Sequence, residues 1–79
     1  MRLPRDLGGA ELAAALGRLG YVITRQKGSH IRLTTQHGGD HPVTIPLHRP
    51  LRIGTVAGIL KEVADHLGID RDALERQLF

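Results

Sequence analysis

Apolar residues recur along this chain with two periods, and the change between them marks where helix gives way to strand. Leu12, Leu16 and Leu19 fall four and three residues apart, with alanines beside them, which predicts one apolar face of a short helix from about Ala10 to Leu19. Leu3 and Leu7 lead into it, Gly8-Gly9 is a flexible entry rather than a side-chain cap, and Gly20 is placed to stop it. Glu11 in the first turn and Arg18 near the last complement the helix dipole. The period then shortens. Tyr21-Val22-Ile23-Thr24 and Ile31-Arg32-Leu33-Thr34 are rich in β-branched and aromatic residues and read as strands joined by a tight connection at Lys27-Gly28. Gln36 to Asp40 reads as a turn, and Pro42-Val43-Thr44-Ile45-Pro46-Leu47 as a third strand with Val43, Ile45 and Leu47 on one face. Pro42 and Pro46 cannot donate ladder hydrogen bonds, which favours an edge position, or at least strand ends, over the middle of a sheet.

The helical period returns at Val56, Ile59, Leu60, Val63 and Leu67, with Thr55 as the expected N-cap and Gly68 as the stop. Gly58 sits inside this helix, where it costs about 1 kcal/mol relative to alanine, and close packing is one reason for it to be there. Asp70 to Phe79 reads as a short terminal helix capped by Asp70 and docked through Ile69, Leu74, Leu78 and Phe79. The order is α-β-β-β-α with a small C-terminal helix. Three strands with one apolar face need a covering layer, and the helices supply it, so the fold class is α/β.

Seventy-nine residues leave little room for a second core, so the expectation is one domain over residues 1–79. There is no cysteine, hence no disulfide and no thiolate metal site. Met1 to Arg5 is not followed by a long apolar segment, which leaves neither a signal peptide nor a membrane span to be read and makes a cytoplasmic location the default. The net charge of +3 is unevenly spread. Arg18, Arg25, Lys27, Arg32, Arg49 and Arg52 face a single acid, Asp40, in the middle of the chain, whereas the residues after Ile53 are mildly acidic. A cationic middle suits a phosphate backbone or an acidic partner.

That charge gathers at Arg25-Gln26-Lys27-Gly28-Ser29-His30. If Ile31 and Leu33 face the core, strand alternation puts His30 and Arg32 together on the open face. A histidine can take up or give a proton near neutral pH, which equips His30 for general acid or base chemistry as well as for an ordinary surface role. Arg25, Lys27 and Arg32 are candidate phosphate contacts, the arginines as forks and the lysine as a point charge. Gly28 lets backbone approach a phosphate, and Ser29 can hydrogen-bond to one or simply hold the turn. Tyr21 shares its phase with Ile23 and reads as core. His37, His41 and His48 lack zinc-ligand spacing, so no metal or cofactor is assigned; His48 borders the open face, and His66 reads as a contact near the end of its helix.

Leu19-Gly20-Tyr21, Arg25 to His30, Val43-Thr44-Ile45-Pro46-Leu47-His48 and Gly54 to Lys61 together resemble the HicA toxin family, over roughly Gly8 to Gly68. The resemblance implies a double-stranded-RNA-binding-like fold and the toxin of a type II toxin–antitoxin system. It further implies a ribosome-independent mRNA endoribonuclease (mRNA interferase) held inactive by a cognate HicB-like antitoxin, with the catalytic histidine falling on His30. Gly8-Gly9 departs from the serine or threonine often found before the family's first helix. The alternative is a noncatalytic RNA-binding module that uses the same basic face, with His30 contributing recognition.

Overall fold

The computed structural model describes Pro4 and residues 6–79. Leu3 lies outside the described residues. In chain order the elements are α1 (Gly9–Gly17), β1 (Val22–Lys27), β2 (His30–Thr35), β3 (His41–Pro46), α2 (Ile53–Leu67) and α3 (Arg71–Leu78). The strands form one antiparallel sheet in the order β1-β2-β3, so the proline-bearing β3 is an edge strand as its missing N–H groups require. This is the expected α/β arrangement, α-β-β-β-α of the double-stranded-RNA-binding type with a short helix appended.

Ile31, Leu33, Val43 and Ile45 project from one face of the sheet into a core shared with Leu12 and Leu16 of α1, Val56, Ile59, Leu60 and Val63 of α2, and Leu74 and Leu78 of α3. Fully burying side chains of this size stabilises the fold by about 1.5–3 kcal/mol each. Among the described residues, no helix covers the opposite face.

Both long-period patterns end where their glycines stand. Gly20 adopts φ 98°, and the Tyr21 and Gly20 N–H groups donate to the carbonyls of Leu16 and Gly17, each at 3.2 Å. Gly68 does the same for α2 at φ 70°, with Ile69 donating to Ala64 and Gly68 to Asp65. These are Schellman closures, which satisfy last-turn carbonyls and favour glycine in the left-handed position. Asp70 caps α3 as expected, its Oδ1 accepting from the Ala73 N–H at 2.7 Å.

Several local expectations are corrected. α2 begins two residues before Thr55, with Arg52 as N-cap and no side-chain cap bond, because the burial pattern marks the first buried turn and Ile53 is 79% exposed. Gly58 is not a close-packing position, since a Cβ there meets nothing within 4 Å. Phe79 does not dock, being 41% exposed, although Leu74 and Leu78 do. Arg18 serves a neighbour's end and not only its own: its guanidinium donates to the Leu78 carbonyl at 2.5 Å, tying α1 to the last turn of α3. At the start of α1, the Glu11 carboxylate accepts from the Gly8 N–H at 2.9 Å, and Gly8 has no side chain to return the bond.

Candidate functional site

The open face of the sheet depends on one extra residue. Val22 pairs with Thr34 and Ile23 with Leu33, but Arg25 then pairs with Arg32, so Thr24 is a bulge. Without the bulge, strict alternation from Tyr21 and Ile23 would point Arg25 and Lys27 at the core. With it, Arg25 stands opposite Arg32 and Lys27 opposite His30, all four exposed on the helix-free face. The Thr24 hydroxyl lies 3.1 Å from that of Thr34 and 3.4 Å from the Arg32 carbonyl, which holds the bulge to the same side. Thr44 and Pro46 of β3 extend the surface beyond Arg32 and His30.

The turn that begins β2 has two residues, Gly28 and Ser29, between the paired Lys27 and His30. Gly28 alone of the two has positive φ, 57°, which a two-residue hairpin turn of type II′ requires at its first position. An added Cβ there would meet nothing within 4 Å, so glycine serves the backbone conformation and leaves the turn's outer side open. The Ser29 carbonyl accepts from the Leu47 N–H at 2.6 Å, carrying the β2–β3 ladder past the end of β3.

This extra bond delivers His48 to His30. Their exposed rings lie 6.3 Å apart between centroids at an interplanar angle of 65°. The His48 backbone is anchored from below, its carbonyl accepting from the Gly9 N–H at 2.9 Å. The approach is so close that a Cβ on Gly9 would sit 2.0 Å from the Pro46 carbonyl oxygen. Gly9, read from sequence as a flexible entry, is thus a packing glycine.

The other histidines gather at the far end of the sheet. His41 and His66 stack at 4.4 Å with an 11° interplanar angle, and the His66 Nε2–H donates to the His37 carbonyl at 2.7 Å. The Tyr21 hydroxyl lies 2.8 Å from His41 Nδ1. Burial, then the nearby Glu62 carboxylate, pushes the Tyr21 hydroxyl up to about 12. Burial, followed by the neighbouring His66, lowers the His41 pKa, with Glu62 opposing. His66 is therefore a half-buried clamp between α2 and the β2–β3 turn, while Tyr21 is core as expected. Among the described residues no group of three or more His, Asp or Glu side chains is arranged to hold a metal ion.

Charge compensation is uneven. The salt bridges among the described residues join Arg49 to Glu11, Lys61 to Asp65 and Arg71 to Glu75, and none involves Arg25, Lys27 or Arg32. A concavity of about 440 Å³ is lined by Gly20, Val22, Thr24, Thr34, Gln36 and His37 toward the opposite end of the open face. Arg25, Lys27, His30 and Arg32 are all exposed, and an open cationic strip suits a polymer better than a small molecule.

The fold and its uncovered basic face define an α/β domain of the double-stranded-RNA-binding type. Residues 9–64, most of the chain, match the sequence profile of a family described as the HicA toxin of bacterial toxin-antitoxin. The chain belongs to the HicA toxin family, whose members act within toxin–antitoxin pairs. No curated protein matches it. Among the described residues, no helix is long and apolar enough to cross a membrane.

Proposed function

We propose that this toxin-family chain is a ribosome-independent mRNA endoribonuclease that needs no metal, with His30 as its catalytic residue. The observation that carries the reading is the uncompensated cationic pair beside that histidine. Like charges directly opposite on neighbouring strands, with Cβ atoms about 4.5–5.5 Å apart, destabilise a sheet. Arg25 opposite Arg32 is such a pair, and a phosphate lying across them offsets the repulsion. Arg25, Lys27 and Arg32 then hold the RNA backbone, Gly28 leaves the turn open to it, Ser29 supplies a hydroxyl, and His30 reaches the scissile phosphodiester. Single-stranded or locally opened mRNA fits an exposed face of this kind. A HicB-like antitoxin with an acidic surface would cover the same strip and block RNA access and His30 together.

The test is cleavage of mRNA by the purified protein with divalent metals chelated. His30→Ala should keep RNA binding and lose cleavage by about 100-fold or more, the usual range for removing an acid–base group. Equal cleavage by both proteins would remove His30 from the chemistry. Salt-dependent binding without cleavage by either would favour the noncatalytic RNA-binding module.

A further inference from the structure

We propose that His48 is the second proton-transfer group of the reaction at His30, so that the two histidines work as an acid–base pair. The inference rests on the nuclease reading above and adds a residue to it. RNA strand scission by 2′-hydroxyl attack needs two proton transfers at different oxygens. A base removes the 2′-hydroxyl proton as the 2′-oxygen bonds to phosphorus, and an acid protonates the 5′-oxygen as its bond to phosphorus breaks. The products are a 2′,3′-cyclic phosphate and a 5′-hydroxyl. The proton taken by the base and the proton given by the acid balance, and exchange with water restores the pair.

One imidazole on an open strand end cannot reach both apical oxygens at once, because they lie on opposite sides of the phosphorus. His30 and His48 have the required separation. Their centroids are 6.3 Å apart, too far for the rings to satisfy one another and close enough for a phosphodiester between them to meet a nitrogen of each at about 2.6–3.2 Å. Both rings are exposed, and neither forms a side-chain hydrogen bond among the described residues. This contrasts with His41 and His66, whose ring nitrogens are engaged with Tyr21 and the His37 carbonyl.

The position of His48 is built rather than incidental. Its residue lies beyond the end of β3, yet the Leu47–Ser29 hydrogen bond on one side and the Gly9–His48 hydrogen bond on the other fix its backbone. Gly9 has no room for a Cβ against Pro46, so the backbone that carries His48 is held against the start of α1. Arg49, next in the chain, is drawn to Glu11 of α1 at 3.5 Å, which adds a side-chain tie to the same segment.

The experiment compares wild type, His30→Ala, His48→Ala and His48→Gln on an RNA cleavage-site oligonucleotide and on its counterpart with sulfur replacing the 5′-bridging oxygen. A thiolate leaves without protonation, so the sulfur substrate no longer needs the acid. The expected result is a 100-fold or greater loss for both histidine sites on ordinary RNA. The sulfur substrate should restore near wild-type rates to the variants of one site and not to those of the other. The wild-type pH–rate profile should be bell-shaped and lose one limb in His48→Ala. His48→Gln keeps a polar side chain of similar reach and should fail like alanine. Unimpaired cleavage by His48→Ala would overturn the assignment, and so would rescue at neither site or at both. An inactive wild type would instead refute the nuclease reading beneath it.

Discussion

Replacing Gly9 with alanine tests how the site is held together. The new Cβ would lie 2.0 Å from the Pro46 carbonyl oxygen, 2.9 Å from its carbon and 3.0 Å from the Leu47 Cα, all backbone atoms without a rotamer to yield. The start of α1 and the end of β3 must therefore move apart by more than an ångström, a rearrangement of the kind that costs about 1–3 kcal/mol. The 2.9 Å Gly9–His48 hydrogen bond is lost with it, at about 0.5–1.5 kcal/mol. Alanine recovers at most about 1 kcal/mol through helix propensity and a stiffer unfolded chain. The net loss is about 0.5–3.5 kcal/mol, a fall in Tm on the order of 10 °C for a domain this small. Gly58→Ala is the control of opposite sign. Its Cβ meets nothing, so it should stabilise the protein by about 0.5–1 kcal/mol. Thermal melts and urea titrations followed by circular dichroism read both, with an unchanged urea slope showing that the native and unfolded states stay comparable. Gly9→Ala within about 0.5 kcal/mol of wild type would refute the reasoning, because the clash leaves no inexpensive escape.

Burial of Tyr21 and of His41 predicts pH dependence at both ends of the range. The folded pKa of His41 is lowered, so below about 6.5 the unfolded chain binds the proton more readily and stability falls as pH drops through that value toward the folded one. Tyr21 is raised to about 12, so its contribution is complete below about 10 and is lost as pH rises from there; urea midpoints across pH should show both limbs, and Tyr21→Phe should remove the alkaline one. Glu75 is buried with its carboxylate 3.4 Å from the Arg71 Nε and no hydrogen bond to either oxygen. Arg71→Ala should therefore cost about 1–3 kcal/mol by stranding the carboxylate, while Arg71→Leu with Glu75→Leu should melt near wild type, as replaced buried pairs often do. Arg32→Glu should weaken RNA binding, flatten its salt dependence and weaken capture of a HicB-like antitoxin; full RNA cleavage at antitoxin saturation would show that the antitoxin does not mask this face.

The local periods determined most of the architecture because they report which side of each element is buried. Leucines at helical spacing, prolines that disfavour a central strand, and glycines after Leu19 and Leu67 were sufficient for the α-β-β-β-α order and its stops. Placing His30 and Arg32 on the open face needed only alternation from Ile31 and Leu33. Alternation misdirects Arg25 and Lys27, however, because a bulge is settled by pairing across the ladder, and Thr24 carries no local signature of being the extra residue. Periodicity puts the start of α2 too late for a related reason: it sees burial, and the first residues of the helix are exposed. Which glycine packs closely was likewise invisible, since Gly9 is defined by Pro46 and Leu47, which lie far along the chain, and Gly58 faces open space. The pairings of His30 with His48 and of His41 with His66 join residues 18 and 25 positions apart in the numbering. Only the closing of β2 on β3, and of α2 over the sheet, brings each pair within reach.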